Sequence, residues 1–142
     1  MQDLHHNIKA VRSLAPVAVG VTGTGVTGKP VDRAGFDSVE IVASYGSITA
    51  TNAVFTLTIK EGDATGALTS VADADLIGSE ANAGVAAAAT RTSGVSKNVT
   101  KRVGYKGGKR YVSASIKSTV TAAVPVSAEV LLGHPRNAPA AT

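Results

Sequence analysis

From Val39 to Tyr45 the chain alternates: Val39, Ile41, Ala43 and Tyr45 are separated by Glu40, Val42 and Ser44, a period of two that places one apolar set on one side of an extended strand. The next run repeats it, with Phe55, Leu57 and Ile59 against Thr56, Thr58 and Lys60. Gly46-Ser47 and Thr51-Asn52 supply turn chemistry between the two, and Glu61-Gly62-Asp63 closes the second before a short segment around Leu68 to Val71. Arg110 to Ile116 reads as a further strand, with Val112, Ala114 and Ile116 on one face and Tyr111, Ser113 and Ser115 on the other. Gly107-Gly108 just ahead of it predicts a hairpin turn from a strand around Val99 to Tyr105. The last alternating run is Val126, Ala128, Val130 and Leu132, with Glu129 turned the other way, and it ends at Gly133.

Helical periodicity is confined to the first dozen residues, where Leu4, Ile8 and Val11 could line a short helix or an extended arm. A strand near Val17 to Val21 is expected to lead into a Gly-rich loop. The Ala-rich stretch from Ala81 to Thr92 could form a helical turn, against which Gly84 counts. Residues 134–142 carry Pro135 and Pro139 without an apolar pattern and read as an extended tail. Several short strands with turn signals about every 8 to 12 residues predict an all-β fold, a jelly-roll or similar antiparallel β-sandwich. Its body would cover residues 14–133, with an N-terminal arm over 1–13 and a C-terminal tail over 134–142.

Composition makes that body a lean one. A chain of 142 residues fits a single domain. Its 44% hydrophobic content rests mainly on Ala and Val, with 2 Phe, 3 Tyr and no Trp, so little large apolar area is available to offset chain ordering, and contacts with a partner could add what the monomer lacks. The absence of Cys removes disulfides, thiolate nucleophiles and Cys-based metal sites. There is no apolar run of about 18 residues, and Met1 to Ser13 holds Asp3, His5, His6, Lys9 and Arg12 with no apolar stretch behind it, so neither a membrane span nor a signal peptide is expected.

Charge divides the chain in two. Residues 1–80 hold five Lys/Arg and nine Asp/Glu, a balance of −4, while residues 81–142 hold nine Lys/Arg and one acid, Glu129, a balance of +8; together they make the net +4. A basic half of this kind can recruit nucleic acid, an anionic membrane or an acidic protein surface, or it can be a solvated face.

Several motifs invite a chemical reading and lack a necessary part. Gly23-Thr24-Gly25-Val26-Thr27-Gly28-Lys29 matches the glycine spacing of phosphate-binding loops, but the position after Lys29 is Pro30, which has neither the metal-ligating hydroxyl nor an N–H, and no amphipathic helix follows. His5 and His6 are adjacent and His134 lies far away, so they make no metal set. Glu61, Asp63, Asp73 and Asp75 lack the spacing of a calcium loop. Asn98-Val99-Thr100 is a glycosylation sequon only by pattern. No Ser sits in a G-x-S-x-G elbow. No catalytic residue, cofactor or metal ligand is therefore expected.

The most distinctive stretch is Lys97 to Arg110. Lys101, Arg102, Tyr105, Lys106, Lys109 and Arg110, joined by Arg136 downstream, are the candidate interface residues, with docking on an acidic protein surface ahead of nucleic-acid binding and of a merely solvated hairpin. Across Lys101-Arg102-Val103-Gly104-Tyr105-Lys106-Gly107-Gly108-Lys109-Arg110-Tyr111-Val112, and again from Val126 to Arg136, the sequence resembles the cement (decoration) proteins of tailed phages, those of short-tailed phages included. The resemblance runs from about Asp37 to Pro139. It implies a jelly roll that reinforces a capsid and has no enzyme activity. The partner would be the major capsid protein, with self-association as a dimer or trimer on the shell and no direct contact with nucleic acid or membrane. The site of action would be the outer surface of the virion, after synthesis in the bacterial host cytoplasm. Two other classes compete: a phage or bacterial surface-adhesion β-module, which would need an aromatic-lined sugar pocket, and a small basic nucleic-acid-binding protein.

Overall fold

Each alternating run becomes a strand with its apolar set turned inward. The computed structural model describes residues 3–19, 25–51, 53–87, 97–119 and 123–137. In chain order the strands are β1 (Ile8–Val19), β2 (Val26–Thr27), β3 (Val31–Asp32), β4 (Phe36–Tyr45), β5 (Ala53–Gly62), β6 (Thr69–Ser70), β7 (Leu76–Ile77), β8 (Val85–Ala87), β9 (Val99–Tyr105), β10 (Tyr111–Ser118) and β11 (Val124–Pro135). A short α-helix, α1 (Glu80–Ala83), is capped by the Ser79 hydroxyl, which accepts from the Asn82 N–H.

The strands make two antiparallel sheets. The first runs β1-β11-β4-β9-β7. In the second, β10 lies between β5 and the short strands β2 and β3, and the far edge of β5 is paired by β6 and β8. Register explains the burial: Val130 faces Ile41 across β11 and β4, and Ala114 faces Ile59 across β10 and β5, so the inward sets meet between the sheets. There Tyr45 and Phe55 contact edge to face at 6.2 Å, and the buried Tyr45 hydroxyl donates to the Ala83 carbonyl at 2.9 Å. Apart from these two and Tyr105, the buried core is Val, Ile, Leu and Ala.

Three expectations change. Gly107-Gly108 is not a hairpin turn, because β9 lies in the first sheet and β10 in the second. The segment arches from one sheet to the other over Tyr105, whose ring lies so close to Gly107 that a Cβ there would stand 2.5 Å from its hydroxyl oxygen. The N-terminal arm also shrinks. From Ile8 onward the chain is β1, paired with β11 from Ile8↔Gly133 to Val19↔Val124, because the inward-facing Val11 and Leu14 are covered there. At the other end β11 continues through His134 and Pro135, and the Arg136 N–H donates to the Gly35 carbonyl at 2.8 Å, so the tail begins later than residue 134. Of the Ala-rich stretch, residues up to Ala83 join α1 and Val85–Ala87 form β8, while 88–92 lie outside the described residues. Of the expected strand at 17–21, Val17–Val19 belong to β1, and 20–21 lie outside them too.

A bulge in β1 fastens the two sheets together. Between Arg12 and Leu14 the register with β11 shifts, and Ser13 turns toward the second sheet. Its hydroxyl donates to the Lys29 carbonyl at 2.9 Å and accepts from the Ala114 N–H at 3.0 Å, while its carbonyl accepts from the Lys29 N–H at 2.7 Å. Gly28 permits this approach, since a Cβ there would lie 2.7 Å from the Ser13 carbonyl oxygen.

Candidate docking surface

The acidic and basic halves of the chain pair with each other inside the fold. Lys109 reaches Asp63 at 2.6 Å, Arg110 reaches Asp32 at 2.7 Å and Arg136 reaches Asp37 at 2.8 Å, while Arg102 stands 3.6 Å from Glu40. Hydrogen bonding from Arg110 and from Lys109 holds Asp32 and Asp63, respectively, below the ordinary aspartate range, and the two cations are shifted up in return. Four of the six basic candidates thus have a carboxylate partner in their own chain. Among the described residues Lys101 and Lys106 have none within ion-pair distance.

Tyr105 leaves the candidate set. It is 2% exposed, its hydroxyl donates to the Glu61 carboxylate and accepts from the Lys109 N–H at 3.0 Å, and the Arg33 guanidinium lies 5.5 Å from its ring centre. Burial, and then the Glu61 carboxylate, push its phenol up to about 12. It organises the arch between β9 and β10 and offers no surface. Arg110 lies over the Tyr111 ring at 5.2 Å. None of the five aromatic side chains is exposed: Tyr45, Phe55 and Tyr105 are buried, and Phe36 and Tyr111 are half-buried.

The glycine loop has no free cradle among its described residues. Val26–Thr27 is strand β2 against β10, and the N–H groups of Gly28 and Lys29 donate to the carbonyls of Ala114 and Ser13. No group of three metal-ligating side chains occurs among the described residues.

The outer faces of the two sheets differ, and sequence patterning alone did not reveal the contrast. On the second sheet, Thr27, Ser115 and Thr58 stand in one cross-strand row, and Lys117 and Thr56 in the next, a hydroxyl and lysine surface. On the first sheet, the row Ala10, Leu131, Glu40, Gly104, Ile77 crosses all five strands, and Arg12, Glu129, Val42, Arg102 follow it. Ile77 is 62% exposed. A shallow groove of about 470 Å³ crosses this face between Ile8, Leu131, Gly133 and Ile77, with Arg102 and Lys106 at the β7–β9 end. A second depression of about 600 Å³ continues it past Ile8, Ser38 and Gly133 to Leu4, itself 67% exposed. Ser38 lies over Gly133 and bonds His134 Nδ1 at 2.8 Å, and Ile77 lies over Gly104, where a Cβ would come within 3.0 Å of its own Cβ. The two glycines keep the floor low. In the sequence, only their position beside alternating apolar residues hinted at it.

No protein-family model and no curated protein matches the chain. Among solved structures the fold is similar to the PBSX exported protein XepA, with a TM-score of 0.56 and 14% identity over 100% of this chain and 42% of that one. It is also similar to the infectious bursal disease virus VP2 of a subviral particle, with a TM-score of 0.51 and 10% identity over 91% of this chain and 33% of that one. The chain thus spans less than half the length of either protein, and at these identities the likeness is one of fold: an antiparallel β-sandwich shared with a PBSX exported protein and a viral particle protein.

Proposed function

We propose that this chain is a structural protein of a tailed-phage virion that binds the outside of the capsid and stabilises it, as a cement protein does. The observation that carries the reading is the first sheet's outer face, where exposed or half-buried apolar side chains, Ile77 above all, stand among opposite charges, Arg12 beside Glu129 and Arg102 near Glu40. Such a face suits a protein surface. Support comes from the strand order: apart from the short neighbours β2 and β3 and the hairpin of β5 with β6, chain-adjacent strands sit in opposite sheets, as in a jelly roll. The likeness to a phage PBSX protein and to a viral particle protein points the same way.

The two competing classes fit less well. A sugar-binding adhesion module stacks its ligand on exposed aromatics, and none is exposed here. A nucleic-acid binder needs cations unclaimed by its own carboxylates, and four of the basic candidates are claimed. The deciding experiment is co-sedimentation of the purified protein with undecorated phage heads. Saturable binding at a fixed copy number, with heads made more resistant to heat, is the expected result. Failure to bind heads, or equal binding to duplex DNA that collapses with salt, would sink the reading.

A further inference from the structure

We infer that the groove on the first sheet's outer face receives an extended segment of the shell that lays apolar side chains over Leu131 and Ile77, to either side of Glu40, and carries a carboxylate where it passes the β7–β9 end. The inference rests on the capsid-binding reading and adds to it the face used and the kind of segment bound.

The groove has the length for this. Five strands at about 4.8 Å spacing make a face about 19 Å across, the span of about six extended residues. Its apolar lining lies to either side of Glu40 on the central strand, with Ile8 and Leu131 toward β1 and Ile77 on β7, beside the low points at Gly133 and Gly104, a lining that suits small or branched apolar side chains and gives a bulky ring no deep pocket. Its ends differ in charge. At the β1 end the lining acid is Asp3, which is engaged by His6. At the β7–β9 end stand Lys106, with no ion pair among the described residues, and Arg102, 79% exposed and only loosely paired with Glu40 at 3.6 Å. A carboxylate on the bound segment would complete the coordination of these two cations. The rest of the face is balanced, Arg12 beside Glu129 and Arg102 near Glu40, so a uniformly acidic partner gains nothing from it beyond that end. The outer face of the second sheet presents rows of Thr, Ser and Lys in place of that lining.

The test places a photo-crosslinking residue at Ile77 or Ala10, on the proposed face, or at Thr56, on the opposite one, and exposes each full-length variant to undecorated heads. Crosslinks from Ile77 and Ala10 to one stretch of shell sequence containing an Asp or Glu, with none from Thr56, are expected. In parallel, Ile77→Lys and Lys106→Glu should each lower occupancy by about tenfold, and Val54→Lys, at an exposed apolar position of β5, should not. Heads bound through Thr56 would overturn the inference and leave the capsid-binding reading standing. Crosslinks from Ile77 only to a second copy of this chain would assign the groove to self-association and overturn it too. If the unmodified protein binds no heads, both ideas fall together.

Discussion

Arg110 and Asp32, 78 positions apart in the chain, meet as a two-pronged ion pair, with Nη2 2.7 Å from Oδ2 and Nε 3.1 and 3.2 Å from the two carboxylate oxygens. Lys109 and Asp63 make a second link beside it. Both aspartates are held below their ordinary values by these bonds. A depressed folded value means the pairs contribute stability above the unfolded value of about 3.9 and lose it as pH falls through the lower folded values. The melting temperature should therefore be flat from neutral pH to about pH 5 and fall below about pH 4. A variant carrying Asp32→Asn and Asp63→Asn should start lower and show a shallower acid limb. An acid limb identical to that of the unmodified protein would show that the pairs are too well solvated to matter.

Alkali acts on another site. The Tyr105 phenol is raised to about 12 by burial and by Glu61, and Tyr45 is raised further by burial alone. For Tyr105 the neutral form is the one the fold favours, so its contribution is intact below the unfolded value of about 10 and lost as pH rises through its folded value. Phenolate absorbance should show two of the three tyrosines titrating late, together with unfolding. Tyr105→Phe leaves Glu61 and the Lys109 N–H without their partner and should cost about 1–3 kcal/mol in urea unfolding. A cost near zero would mean water replaces the hydroxyl.

The Ser13 clasp makes a sharper claim. Ser13→Ala keeps the strand but deprives the buried Ala114 N–H and the Lys29 carbonyl of their bonds, for an expected loss of about 1–3 kcal/mol. Gly28→Ala should cost a similar amount by steric crowding against Ser13. Because both changes act at one contact, the double variant should lose less than the sum of the two. Strict additivity, measured by equilibrium unfolding, would refute the clasp as a single unit.

No nucleotide should bind the glycine loop. Calorimetry with ATP and magnesium is expected to show no saturable heat, because the amides of Gly28 and Lys29 are already donated within the fold. Binding that disappears in Lys29→Ala would contradict this.

Much of this architecture was legible in the residues. β4, β5, β10 and β11 follow from period-two alternation, since each buries its apolar set while most of the alternate positions are exposed or half-buried; the buried Ser113 of β10 is an exception. β1 was hidden because its two register shifts and Pro16 break the alternation just where the strand bends toward the second sheet. The connection at Gly107-Gly108 was misread for a different reason: two glycines allow a tight reversal and an arch between sheets equally well, and only the position of the Tyr105 ring distinguishes them. The charge division was visible, but its meaning was not. Counting along the chain cannot show that Asp32, Asp37 and Asp63 will stand beside Arg110, Arg136 and Lys109. The groove was least legible of all, since it depends on which residues from five strands come to share one row.

That β1 pairs with β11 also bears on how the molecule comes to be folded. Ile8 waits for Gly133, 125 positions further along, and most other strands find their neighbours only across the sandwich. Such a chain has few local contacts to collect first, so loop closure must be met before pairing can offset it, and folding should belong to the slow, millisecond-to-second class of all-β domains. A fragment that stops short of β11 would leave β1 and β4 with open edges and the apolar faces of both uncovered. Folding must then be nearly all-or-none, and any device that shortens the path from β1 to β11, such as a circular permutation joining them, should speed it.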